Sequence, residues 1–259
     1  MQPTLADLES LARAAGDILR AGFGQNHQVR YKGAIDLVTE TDHLSETYLL
    51  GQVQSRFPGQ RVIAEESGEL SGSECCQWFI DPLDGTVNFA HGVPIFSVSL
   101  AYAEDGVVRL GAVYDPIQDE CFSAELGKGA RLNGQPIQVS STPDLNHSLL
   151  VTGFGYDIRT NPVNNLSQFG RLSMLSQGVR RLGSAALDLC SVAAGRFDGY
   201  WELALKPWDV AAGGLIAAEA GAVVSKIQGD PDILLPPCSV LAANRNVYEE
   251  LMEVLRGGR

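Results

Sequence analysis

The sequence predicts an α+β protein built on two sheets. Asp105-Gly106 joins two apolar segments, the pattern of an antiparallel hairpin. The second half alternates helical and extended segments, as helices packed against a sheet do. With 259 residues, the chain can bury a large core in one big domain or in two closely packed halves.

Thr4 caps a first helix with Leu5, Leu8, Leu11, Ala12, Ala15, Ile18 and Leu19 on one face; Gly22 and Gly24 stop it. A second helix covers about 43–57 and ends at Pro58-Gly59. Residues 61–64 form a short strand ending in Glu65-Glu66, and Trp78-Phe79-Ile80 is a short apolar run ending in Asp81-Pro82. Strands at 97–102 and 107–114 flank the Asp-Gly turn, a third follows at 121–125, and Gly127, Gly129 and Gly134 lie in turns. The first part therefore carries a largely antiparallel sheet. Beyond it, 148–152 is strand-like and 165–176 helical. Ser184 caps a helix through Ala194, and 197–203 is extended. A helix rich in small residues spans 208–220 and ends at Gly221; strands at 222–225 and 239–242 precede a last helix opened by Asn244 or Arg245. With no internal repeat and no low-complexity linker, two halves, about 1–140 and 141–259, are expected to join without a flexible hinge.

The formal net charge of -12 argues against nucleic acid or anionic lipid as a partner, because such a surface repels phosphates. Five cysteines (Cys75, Cys76, Cys121, Cys190, Cys238) show no zinc spacing and read as reduced thiols. Adjacent Cys75 and Cys76 are either a redox pair or, the preferred reading, two small residues in a loop. His27, His43, His91 and His147 form no metal pattern. Asp7, Glu9, Arg13 and Asp17 interrupt any signal-peptide core. No apolar run approaches the ~20 residues of a membrane span, so a cytoplasmic protein is expected.

Four carboxylates fall at strand ends, tight turns or helix starts: Glu65, Asp81, Asp84 and Asp209. In Asp81-Pro82-Leu83-Asp84-Gly85-Thr86 a strand delivers Asp81, and Pro82 is expected to force a rigid turn and end strand pairing. Asp84 then converges with Asp81, Gly85 permits close backbone approach, and a helix opening at Thr86 would face an anion with its free N–H groups. Two such carboxylates need a compensating charge, which hard divalent cations supply through oxygen ligands. A turn with an Asp cap is the simpler account of Asp-Pro alone, though not of the whole hexapeptide. Glu65-Glu66 is the weaker signal, since such pairs are commonly solvated. Asp209 opens a helix and complements its dipole; the small residues after it favour tight packing that fixes it.

These segments resemble the inositol monophosphatase family of lithium-sensitive, Mg²⁺-dependent phosphatases, as bacterial and plastid-type members. Trp78-Phe79-Ile80-Asp81-Pro82-Leu83-Asp84-Gly85-Thr86-Val87-Asn88-Phe89 resembles its first signature and Trp208-Asp209-Val210-Ala211-Ala212-Gly213 its second. Ile63-Ala64-Glu65-Glu66-Ser67 and Asp36-Leu37-Val38-Thr39-Glu40-Thr41-Asp42 match two further blocks. Four ordered blocks are far more specific than one.

The resemblance implies an α+β layered sandwich, αβαβα, commonly dimeric. It implies that Glu65, Asp81 and the Leu83 carbonyl hold one Mg²⁺, that Asp81, Asp84 and Asp209 hold a second, and that Glu65 helps hold a third, weaker ion. Two metals roughly 3.5–4 Å apart clamp both ends of an in-line displacement. Thr86, hydrogen-bonded to Asp42, would orient the attacking water, and the N–H groups of Gly85 and Thr86 would hold phosphate. Asp84, Gly183, Ser184, Ala185 and Glu202 match positions that contact substrate, and Lys32 a basic residue near the metal loop. Glu202 reads equally as a strand-end charge, and Lys32 as a solvated lysine.

A small phosphorylated polyol or sugar is the implied substrate, inositol 1-phosphate first. Fructose 1,6-bisphosphate, histidinol phosphate, 3'-phosphoadenosine 5'-phosphate and NADP keep the same chemistry. Ala64 replaces a common glycine, and Gly153-Phe154-Gly155-Tyr156-Asp157 departs from animal members where selectivity is partly decided. A non-catalytic, ligand- or protein-binding relative is the alternative of another class; it should have lost at least one of Glu65, Asp81, Asp84, Thr86 or Asp209, and all five are present.

Overall fold

The structure, a computed structural model, describes residues 2–25, 29–31 and 37–257. Lys32, Asp36 and His27 lie outside the described residues. Among those described, the first part runs α1 (Leu5–Gly22), β1 (Val29–Tyr31), β2 (Leu37–Thr39), α2 (Glu40–Arg56), β3 (Gln60–Ala64), β4 (Gly68–Leu70), β5 (Ser73–Asp84), α3 (Thr86–Ala90), β6 (Ser97–Glu104), β7 (Val107–Asp115), β8 (Glu120–Glu125), β9 (Ala130–Leu132) and β10 (Gln135–Pro136). The second runs β11 (Leu149–Thr152), α4 (Leu166–Leu175), β12 (Gly178–Arg180), α5 (Ala185–Ala193), β13 (Gly199–Leu205), α6 (Pro207–Glu219), β14 (Val223–Ser225), β15 (Cys238–Ala243) and α7 (Arg245–Leu255).

An eight-stranded sheet has the order β10-β9-β8-β7-β6-β5-β3-β4, and a five-stranded sheet the order β12-β11-β13-β15-β14. The larger is antiparallel except where β3 runs parallel to β5. In the smaller, β11 is parallel to both its neighbours.

Side-chain alternation along strands builds the layers, because successive residues point to opposite faces. On β5, Trp78 and Ile80 join Leu8 and Leu11 of α1 and Leu49 of α2, while Phe79 points the other way toward α5 and α6. On β13, Tyr200 joins that central helix layer and Trp201 packs with Val247 and Leu251 of α7. The stack is thus α1/α2, large sheet, α5/α6, small sheet, α4/α7, the expected αβαβα sandwich. Close approach in its middle needs small residues. A Cβ at Gly111 of β7 would lie 3.0 Å from the Ala212 carbonyl of α6, and one at Gly213 would lie 2.8 Å from Leu189 of α5.

Four local expectations are corrected. The second helix starts at Glu40, because Thr39 caps it and the Asp42 carboxylate accepts from Thr39 N–H at 2.9 Å, closing a capping box. Pro82 does not end the pairing of β5: the ladder bulges between Asp81 and Asp84 and resumes with Asp84 opposite Ser97. Cys75 and Cys76 sit on β5, not in a loop, where its pairing with β3 jumps register from Ser73 to Gln77. The extended segment before α6 runs from Gly199 to Leu205.

Near residue 140, Ser140 Oγ donates to Asp198 at 2.5 Å and accepts from Asn244 Nδ2 at 2.9 Å. The other Asp198 oxygen accepts from Leu149 N–H at 2.6 Å. Ser140 is thereby anchored to the loop before β13 and to the cap of α7.

Candidate active site

A cavity of about 360 Å³ opens where the end of β5 meets α5, α6 and β13. Glu65, Asp81, Leu83, Asp84, Gly85, Thr86, Gly183, Ser184, Ala185, Glu202 and Asp209 all line it. Asp42 lies behind Thr86. Every candidate residue named from the sequence and described in the structure therefore gathers at one place.

Each is positioned by its element. Glu65 follows β3, its N–H donating to the Ile80 carbonyl at 3.1 Å. Glu46 of α2 secures the same turn, accepting from Glu66 N–H at 2.9 Å and Ser67 Oγ at 2.5 Å. Within the bulge, Asp81 Oδ1 accepts from Leu83 N–H at 3.0 Å, and Ser45 Oγ donates to the Pro82 carbonyl at 2.9 Å. Gly85 turns the chain into α3 with φ +98°, a left-handed conformation that favours glycine. Asp84 reaches across to α5, accepting from Ser184 Oγ at 2.5 Å, Ala186 N–H at 2.8 Å and Ala185 N–H at 3.3 Å. Asp209, three residues into α6, accepts from Lys206 N–H at 2.7 Å.

Thr86 Oγ1 lies 3.0 Å from both Asp42 Oδ1 and the Leu83 carbonyl. Its single proton serves one of them at a time. The other Asp42 oxygen is held by Thr39 N–H and Oγ1, so the acid cannot swing away.

Burial and mutual repulsion dominate the electrostatics. Desolvation lifts Asp81 well above the usual carboxylate range, and the charges of Glu65, Asp84 and Asp209 add to it. Asp209 is lifted likewise, by burial first and then by Asp84, Glu65 and Glu202 against its Lys206 hydrogen bond. Burial pushes Asp84 up to about 6 despite its hydrogen bonds from α5. Glu202 reaches about 7, through burial, with Asp84 raising it and the Tyr200 hydroxyl and Arg181 opposing. Burial also raises Asp42, against its Thr39 and Thr86 hydrogen bonds.

The donor set tests whether cations fit. Four carboxylates from three segments, the turn after β3, the end of β5 and the start of α6, repel one another in a buried wall, and all the donors are hard oxygens, the ligand type that Mg²⁺ takes. Among the described residues the cavity's cationic side chains are Arg181 and Lys206, both away from the Asp81 bulge in sequence. The residues fit a divalent cation. Among the described residues no three His, Cys, Asp or Glu side chains stand in ligand geometry.

Sequence reasoning missed Arg181 and Lys206 as wall residues, and Tyr200, whose hydroxyl donates to Glu202 at 2.7 Å. Arg181 stands two residues before the Gly183 block, and Tyr200 two before Glu202, one strand period away. That spacing was the available signal.

An acidic site rich in carboxylate oxygens, where two layered sheets meet, is an arrangement that hard divalent cations suit. The comparisons carry this further. The sequence model described as inositol monophosphatase family matches residues 1–257, and the chain belongs to that family. It is 46% identical over 245 residues to a Synechocystis protein named inositol-1-monophosphatase, covering 93% of this chain and 85% of that one. It is 38% identical over 259 residues to the Escherichia coli (strain K12) protein named Nus factor SuhB, covering 99% and 97%. The solved inositol monophosphatase of Anabaena (Nostoc) sp. superposes with a TM-score of 0.89 at 42% identity, covering 98% of this chain and 96% of that one. Among the described residues no helix is long and apolar enough to cross a membrane.

Proposed function

We propose that this protein hydrolyses a small polyol or sugar phosphate monoester, inositol 1-phosphate first among them, using Mg²⁺. The observation that supports it best is the convergence of Glu65, Asp81, Asp84 and Asp209 on one cavity wall. Glu65, Asp81 and the Leu83 carbonyl would hold one Mg²⁺, Asp81, Asp84 and Asp209 a second, and Glu65 would share a third. Bound there, the cations would lower the pKa of a water and neutralise charge on phosphate and leaving oxygen.

The chain's own groups do the rest. With its proton donated to Asp42, Thr86 Oγ1 presents a lone pair to the attacking water and orients it. The raised affinity of Asp42 for a proton suits it to receive one through Thr86. The N–H groups of Gly85 and Thr86 face the phosphate. Ser184 and Ala185 have Asp84 as their partner, so they act on the substrate by fixing that carboxylate, while Glu202 accepts from a hydroxyl of the alcohol part. The cavity suits a small ester. It draws on both halves of the chain, which supports one functional unit over 1–259.

Relatives under two different names match over nearly the full length, so names alone do not choose the substrate. Phosphate release should be measured from inositol 1-phosphate, fructose 1,6-bisphosphate, histidinol phosphate and 3'-phosphoadenosine 5'-phosphate, with Mg²⁺ and with EDTA, for wild type and Asp209→Asn. The expected result is Mg²⁺-dependent release, greatest from inositol 1-phosphate, and none from the folded variant. Near-normal turnover by Asp209→Asn would overturn the metal assignment. A different best ester would move the substrate and keep the chemistry.

A further inference from the structure

Glu202 rests its carboxylate on bare backbone. A Cβ built at Gly153 would lie 1.9 Å from Glu202 Oε2, 2.3 Å from its Cδ and 2.5 Å from Oε1. Real carbon atoms do not approach so closely, so the acid occupies the space a side chain at 153 would fill. From elsewhere, the Tyr200 hydroxyl donates to Oε2 at 2.7 Å. Both Gly153 and Glu202 line the cavity.

The backbone at 153 is not free to retreat. Thr152 pairs with Trp201 in the β11–β13 ladder, and its Oγ1 donates to the Trp201 carbonyl at 2.5 Å. Buried Asn165 donates to Thr152 Oγ1 at 2.6 Å and to the Gly153 carbonyl at 2.9 Å. The amide oxygen of Asn165 accepts from Trp201 Nε1 at 2.5 Å. Any conflict between positions 153 and 202 is therefore relieved by the acid, not by the chain. Unlike Gly85 and Gly183, Gly153 does not have a left-handed φ. Its backbone does not demand glycine; the space taken by Glu202 does.

We propose that Gly153 is a specificity-determining residue: its bare Cα seats the Glu202 carboxylate in the cavity wall, where it selects phosphate esters whose alcohol part carries a hydroxyl donor. The inference rests on the phosphatase reading above. A carboxylate so placed welcomes a donor and repels a second anionic group. Its neighbourhood sharpens this. Asp84 of the same wall adds its negative charge to the field at Glu202, and Glu202 in turn raises buried Asp188 of α5 behind it.

The test compares wild type, Gly153→Ala, Glu202→Ala and the double variant on inositol 1-phosphate and on p-nitrophenyl phosphate, whose alcohol part has no hydroxyl. Gly153→Ala should lower kcat/KM for inositol 1-phosphate about tenfold or more, mainly through KM, the size of one lost hydrogen bond to a charged acceptor. The loss on p-nitrophenyl phosphate should be several times smaller. The double variant should be no worse than Glu202→Ala, because the methyl acts through that side chain. A crystal structure of Gly153→Ala should show the carboxylate turned away from the Tyr200 hydroxyl. Equal losses on both esters, additive losses, or an unmoved carboxylate would overturn the proposal. If Gly153→Ala alone does not fold, the double variant must fold, since the side chain met by the methyl is gone; a double variant that also fails overturns it. Failure of the phosphatase reading shows in wild type alone, as no release from either ester.

Discussion

Replacing Glu202 by glutamine keeps the shape of the side chain and removes one buried charge. Burial lifts this acid from 4.5 to about 7, with Asp84 adding to it and Tyr200 and Arg181 opposing. At about 1.4 kcal/mol per pH unit, ionised Glu202 destabilises the folded, metal-free protein by about 3 kcal/mol. The sign follows from the direction of the shift. Below about pH 4.5 the group is protonated folded or unfolded, and the cost is absent. As pH rises toward 7 the unfolded chain releases its proton first, and stability falls; above about 7 the full cost is present. Glutamine does not titrate, and its amide oxygen still accepts from Tyr200. At about 2–4 °C per kcal/mol for a chain of this size, the melting temperature of Glu202→Gln should exceed that of wild type by about 6–12 °C more at pH 8 than at pH 4.5. Thermal denaturation followed by circular dichroism in EDTA measures this. Asp81, Asp84 and Asp209 titrate in both proteins, so the difference carries Glu202 together with its coupling to Asp84 and Asp209. A gap that stays constant with pH would refute the reasoning.

Thr86→Ala removes the hydroxyl that lies 3.0 Å from Asp42; kcat should fall about 10²–10⁴-fold with KM little changed, and steady-state phosphate release within a few-fold of wild type would take the pair out of the chemistry. Asn165→Ala leaves the buried Trp201 indole N–H without its acceptor and Thr152 without its donor, so urea denaturation should show a loss of at least about 2 kcal/mol; an equally stable variant would show that the hub does not hold β11 to β13.

The layered fold was legible because its signals are local. Helix caps, the Asp105-Gly106 turn and the period-2 strands each act over a few residues. The start of α2 was misjudged because Thr39 and Asp42 form a capping box whose acid also belongs to the site. Reading Asp42 as chemistry hid its part in the helix. Pro82 was overread: a missing N–H ends a ladder only where that N–H would have paired, and the bulge between Asp81 and Asp84 places it where none is needed. The carboxylates were legible because they sit inside ordered sequence blocks at a strand end, a tight turn and a helix start. Tyr200 and Asn165 were not assigned a role, because a buried polar group shows its worth only through its partner, and those partners are distant in sequence or hidden by a strand's alternation.

Asp84 shows why neither half suffices for the site. It stands at the end of β5, where the large sheet delivers it, yet its hydrogen-bond donors come from the first turn of α5. A helix start offers free N–H groups and a positive end, which favour an anion there. Burial nevertheless wins, leaving the acid at about 6. The same carboxylate raises Asp81, Asp209 and Glu202. One group thus joins the wall that would hold the cations to the wall that would read the alcohol part. Charge placed near Asp84 is felt at both: neutralising it eases ionisation of Asp81 and Asp209, and relieves Glu202 as well. A cation held there would prepare the hydroxyl acceptor at the same time as the phosphate site, which couples recognition of the two ends of one substrate through a single side chain.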